Sequence, residues 1–235
     1  MVPLQVLWTK TTQRRASGTS LAAILPIGIV GACVYYFGSR APQLDLKVAV
    51  FLMIGSSVGA LVGAGLASRV PERSLRMLVA VLLVVAAASE MRDAIVGGGA
   101  VADTTSRSNL GPIALALLVL SGAVIGTISG LTGVGGGILV VPTLVFGFGL
   151  AQRVAQGTSL LAILPTAAVG AIVHQRHGDL DARAAGLMSL SGAPAALLGA
   201  ALAIWLPQRV LACLFGLLLA VVAVRMWPRR GRPVV

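Results

Sequence analysis

The sequence predicts an all-α, polytopic membrane protein. Seven or eight transmembrane segments are expected, in two inverted repeats whose helices are broken at proline and glycine. Three observations carry this. First, 57% of the 235 residues are hydrophobic, mean hydropathy is +0.96, and only 11% are charged. A water-soluble domain carries roughly 25% charged residues, so this chain lacks the polar surface to face water. Second, the apolar residues gather into stretches near the roughly 20 residues that one bilayer crossing needs. Third, a nine-residue string occurs twice. Residues 18–26 read GTSLAAILP and residues 157–165 read GTSLLAILP, eight of nine positions alike at an offset of 139. A duplicated apolar unit carrying a helix breaker is a mark of membrane transporters built from two related halves.

The apolar segments are residues 18–37, 46–67, 77–89, 112–129, 131–148, 157–173, 184–206 and 210–226. The fifth is rich in glycine and weak as a helix. The longest polar gap holds Gly97-Gly98-Gly99 and then DTTSRSN, the composition of a linker. The expected division is therefore a first half over 1–96, a linker over 97–111 and a second half over 112–235. The duplication runs beyond the string. Gly31-Ala32 matches Gly170-Ala171 at the same offset; Leu44-Asp45 matches Leu180-Asp181, and Gly63 matches Gly199, at 136. The second half has sequence upstream of this region that the first lacks, so the first repeat reads as truncated at its start.

The net charge of +11 does not point to nucleic acid, because no basic tract is interleaved with aromatics. Lys and Arg concentrate in cytoplasmic loops of membrane proteins. If all eight segments cross, the 18 basic residues divide 12 against 6, and the richer side holds both termini. Both termini are then cytoplasmic. Five crossings per repeat unit put the halves in opposite senses, the arrangement that supports alternating access.

Two motifs stand out. Residues 130–142 read GLTGVGGGILVVP. Gly133, Gly135, Gly136 and Gly137 permit close backbone approach and leave N–H groups free to face a ligand. The motif has neither the strand and acid of a dinucleotide site nor the lysine of a phosphate loop. The other motif is the repeated string. Pro26 and Pro165, like Pro142, are expected to break or kink their helices. Gly18, Thr19 and Ser20, with Gly157, Thr158 and Ser159, would then stand where half-helices begin. Hydroxyls and helix ends there suit a small anion without any buried cation. Simple helix capping is the plainer role for these hydroxyls.

His174 and Arg176 lie in HQRHGDLD with Asp181. A histidine there fits a proton-sensitive gate. His174 and His177 lack an evident third ligand, so no metal is expected. Asp45 and Asp181 each start a span, where an acid favours a helix N-terminus. Cys33 and Cys213 sit in apolar runs without CxxC spacing and read as small packing residues. No nucleophile–base pair is visible at membrane depth, so catalysis is not expected, and no cofactor is implied.

The strings GLTGVGGGILVVPTLV, GTSLLAILPTAAVGAIVHQRHGDLD and FGLLLAVVAVRM together resemble the sulfite exporter TauE/SafE family of bacterial inner-membrane permeases. The resemblance implies a multi-pass permease moving small sulfur-containing anions such as sulfite or sulfonates, usually outward. Its signature falls here on Gly133, Gly135, Gly136, Gly137 and Pro142; on Gly157, Thr158, Ser159 and Pro165; and on His174, Arg176, Gly178 and Asp181. The implied partners are the lipid bilayer and a small anion, with room for a homo-oligomer. The rival reading is a non-transporting membrane subunit or sensor derived from a transporter.

Overall fold

A computed structural model describes residues 13–39, 42–66, 111–132, 137–178 and 180–226, with scattered positions between 77 and 91. In chain order the helices are α1 (Gln13–Phe37), α2 (Leu46–Leu66), α3 (Pro112–Thr132) and α4 (Gly137–Pro142). A π-helical turn follows (Thr143–Gly147), then α5 (Gln152–Arg176), α6 (Ala182–Trp205) and α7 (Gln208–Met226). No strand occurs among the described residues. α1, α2, α3, α5 and α6 are long and apolar enough to span a bilayer, and α7 holds a shorter apolar stretch. Water is absent from a bilayer core, so every backbone group must bond within its own segment, and the apolar stretches become helices.

The helices begin and end close to where the charges stop. α5 starts five residues ahead of its apolar stretch, at Gln152, because the polar run before Gly157 continues the helix. Asp45 and Asp181 cap α2 and α6: their Oδ1 atoms accept from Val48 N at 3.1 Å and Ala184 N at 3.0 Å. Asp181 stands at the N-cap in extended backbone, the conformation that frees a side chain to take up an otherwise open helix N–H.

Two expected helix breaks do not occur. α1 runs unbroken through Pro26, and α5 through Pro165. Proline removes one N–H and crowds the carbonyl four residues earlier. In lipid the backbone has no better alternative, and neighbouring helices hold it helical. α6 likewise contains Pro194. Pro142 differs: it ends α4, and the chain passes there into the π-helical turn.

Packing follows the small residues. α2 and α3 lie parallel with their backbones in contact. A Cβ on Gly55, Gly59 or Gly63 would overlap the carbonyl oxygen of Val119, Ala123 or Thr127. One on Gly122 would stand 2.7 Å from the Leu52 oxygen. Only glycine permits this approach, which supplies dispersion and weak C–H···O contacts where no hydrophobic effect drives association. Val48, Leu52, Leu118, Ile125, Val140, Val141, Leu144, Ala155 and Ala162 form the main core beside it.

Candidate functional site

The two copies of the repeated string lie on α1 and α5, which pack against each other in opposite directions. A Cβ on Gly31 would meet Leu160, and one on Gly170 would meet Leu21, at 2.9 and 2.7 Å. The offset of 139 turns one of these contacts into the other, so the pair is related by a pseudo-twofold axis.

The same axis relates two hydrogen bonds. Asp181 N donates to Thr19 Oγ1 at 3.1 Å, and Asp45 N donates to Thr158 Oγ1 at 2.9 Å. Each repeat's threonine thus holds the backbone at the helix start of the other repeat. Both threonines are buried, Thr158 fully. The Thr19 hydroxyl gives its own proton to the Arg15 carbonyl at 2.8 Å, and that of Ser159 goes to the Gln156 carbonyl at 2.8 Å. These protons are spent inside their own helices. Gly18 and Gly157 lie five residues inside α1 and α5, not at helix starts. Because α1 and α5 run oppositely, the threonines stand near opposite ends of the bundle, about 20 Å apart along the axis at 1.5 Å per residue. The structure does not gather the two GTS elements into one pocket.

It gathers a different set. α3 runs parallel to α2, so both start at the Asp45 end. α5 starts there as well, since Thr158 touches Asp45. The stretch after α3 therefore returns the chain from the Asp181 end. On the way Gly137 opens α4 beside Ile163, near the middle of α5. Gly133, Gly135 and Gly136 lie outside the described residues. Near that return is a small cavity of about 30 Å³, lined by Leu21, Ser129, Gly130, Thr166, Gly170 and His174 among others. Thr166 bonds its own helix at the Ile163 carbonyl, 2.7 Å away. Ser129 is buried and lies on the last turns of α3. The cavity has room for one or two water-sized molecules.

At this end of the bundle, Arg15 Nη2 stands 3.7 Å from Asp181 Oδ2 with both side chains substantially exposed, so the pair contributes little. His177 stands at the C-cap of α5 with Nδ1 2.7 Å from the Val173 carbonyl. Arg176 ends the helix, exposed. Among the described residues no group of three His, Cys, Asp or Glu stands together.

Sequence reasoning passed over the other end of α5. There Tyr35 donates to Gln156 Oε1 at 2.9 Å, and Arg153 donates to the Leu206 carbonyl. A signal existed: Gln13-Arg14 and Gln152-Arg153 also match at the offset of 139. Ser129 left no signal, because one serine among small residues has no pattern.

A family model described as sulfite exporter TauE/SafE matches residues 1–89 and 118–234. A probable membrane transporter protein of Xylella fastidiosa (strain 9a5c) is 35% identical over 119 residues, 50% of this chain and 45% of the relative. The probable membrane transporter protein YunE of Bacillus subtilis (strain 168) is 27% identical over 126 residues, 50% of this chain and 46% of the relative. The chain thus spans about half the length of the curated relatives it matches. No solved structure matches it. A match over most of the residues, on a bundle of bilayer-length helices in antiparallel halves, establishes that the chain belongs to the sulfite exporter TauE/SafE family of membrane transporters.

Proposed function

We propose that this chain is a permease, not an enzyme, that exports small sulfur-containing anions such as sulfite or sulfonates across a bacterial inner membrane by alternating access. The observation that supports it best is the crossed exchange of Thr19 with Asp181 and Thr158 with Asp45. Related halves in opposite senses offer two equivalent packings, one open to each side. The threonines act as pins between repeats rather than as ligands. The anion passes the cavity at Ser129, Thr166 and His174, with Gly133, Gly135, Gly136 and Gly137 offering backbone N–H groups. Pro142, where α-helix gives way to π-helix, lets the returning arm shift. His174 senses protons in that cavity, and Arg176 and Asp181 gate its mouth. On this reading the cavity of about 30 Å³ corresponds to a closed form.

The test is efflux of labelled sulfite from proteoliposomes. Gly136→Leu is expected to abolish flux, and Ser129→Ala to slow it about tenfold, with folding of each variant checked by Tm. No sulfite-dependent flux from the unaltered chain, or full flux with Gly136→Leu in a folded protein, refutes the reading.

A further inference from the structure

The first turn of α5 holds more polar groups than the packing around it satisfies. Gln152 opens the helix and is only 7% exposed, yet neither its amide oxygen nor its amide nitrogen has a hydrogen-bond partner. Next to it, Arg153 gives one N–H to the Leu206 carbonyl at the corner between α6 and α7, while its Nε is buried and unbonded. Gln208, two residues past that corner, keeps Oε1 buried and unbonded. Ala151 precedes the helix without a side-chain cap, and the first turn carries no acid, so its backbone N–H groups are open as well. Helical side chains lean toward the helix N-terminus, which brings the heads of Gln152 and Arg153 toward those N–H groups. Buried polar groups are bonded in the great majority of cases, and a cluster of exceptions calls for an explanation such as a bound water or ion.

The kind of partner follows from the unmet groups. Arg153 Nε–H, the Gln152 amide N–H and the helix-end N–H groups are donors, the amide oxygens of Gln152 and Gln208 are acceptors beside them, and the helix end adds partial positive charge. Among the described residues Arg153 has no ion pair. Asp45, at the same end, caps α2 through Val48 N. Tyr35 gives its proton to Gln156, and Lys47 and Arg209, in the first turns of α2 and α7, add positive charge. A cation is repelled here, and water can accept from the amide and the guanidinium alike but leaves the positive charge of Arg153 uncompensated. We infer that the first turn of α5 binds a small oxyanion, held by Gln152, Arg153 and the open N–H groups. Gln208 Oε1 accepts from a hydroxyl or water that the anion carries. The site stands at the Asp45 end, away from the Ser129–His174 cavity, and does not depend on what that cavity passes. The matching Gln13-Arg14 opens α1 at the other end.

Free solute and an anionic lipid headgroup present the same oxygens, and two measurements separate them. The purified full chain in neutral detergent is titrated with sodium sulfate against sodium chloride at equal ionic strength while Tm is followed. Native mass spectrometry then counts phosphatidylglycerol retained from nanodiscs. A saturable rise in Tm assigns a solute, and retained lipid assigns a headgroup. Either is expected to be lost in Arg153→Gln and kept in Arg209→Gln. Gln152→Glu places a carboxylate among the donors, so it is expected to raise Tm without added anion and to remove the response. The inference is overturned if the unaltered chain shows neither effect. Equal loss in Arg209→Gln, or a lowered Tm with the response intact in Gln152→Glu, overturns it too.

Discussion

α2 and α6 occupy equivalent places in the two repeats, yet they are packed differently. At the offset of 136, Gly55, Gly59 and Gly63 of α2 correspond to Ser191, Ala195 and Gly199 of α6. Both are stripes of small residues four apart. On α2 the stripe is buried against the α3 backbone. On α6 all three residues are exposed, and a Cβ on Gly199 would meet nothing within 4 Å. In the apolar stretch of α2, 44% of residues are buried, against 11% for α6. Each helix does lie on the partner repeat's central helix, α2 on α5 and α6 on α1. The pseudo-symmetry therefore governs the centre of the bundle and fails at its flank. α3 covers α2, and none of the described helices covers α6 in the same way.

The largest test of that contrast is steric. Gly59→Leu forces a side chain into the α3 backbone and is expected to cost about 3 kcal/mol or more. Its counterpart Ala195→Leu, on an exposed face, should stay within about 0.5 kcal/mol. Unfolding in detergent measures both, and equal costs would erase the distinction between the flanks. A smaller effect probes the symmetric centre. Thr19→Val and Thr158→Val each strip the acceptor from a backbone N–H, at about 1 kcal/mol. The double variant should add within about 0.5 kcal/mol, since the sites lie at opposite ends. A large departure from additivity would mean the two pins are mechanically linked. The smallest change is expected at the prolines. Because α1 and α5 are continuous, Pro26→Ala and Pro165→Ala restore an N–H to an existing helix. Stability should shift by less than about 1 kcal/mol, and the proposed sulfite efflux should persist. Loss of efflux from either folded variant would show that a proline-dependent distortion matters after all.

Much of the fold was legible because lipid imposes a one-dimensional rule: a long apolar stretch becomes a helix. The stretches 46–67 and 112–129 appear as Leu46–Leu66 and Pro112–Thr132. The duplication was legible as an antiparallel pair, since identical strings needed only an odd number of crossings between them. The proline breaks misled for a physical reason. Proline's cost in water reflects a backbone with somewhere else to go, and a bilayer removes that choice. The GTS hydroxyls were ambiguous because their chemistry suits an anion and a backbone N–H equally, and here backbone N–H groups of Asp181 and Asp45 meet the threonines. Gln152 was invisible as a candidate because only its burial without a partner makes it unusual.

Composition and repetition alone settled that this chain is helical, membrane-embedded and internally doubled, because those follow from transfer energies and residue identity along the line of the chain. Tertiary structure decided which groups meet. It sent Thr19 to Asp181 and Thr158 to Asp45, separated the two GTS elements, and left Gln152 and Arg153 with bonds unmade. Hydrogen bonds are short and directional, so their pairing depends on helix direction and register, which no hydropathy pattern encodes.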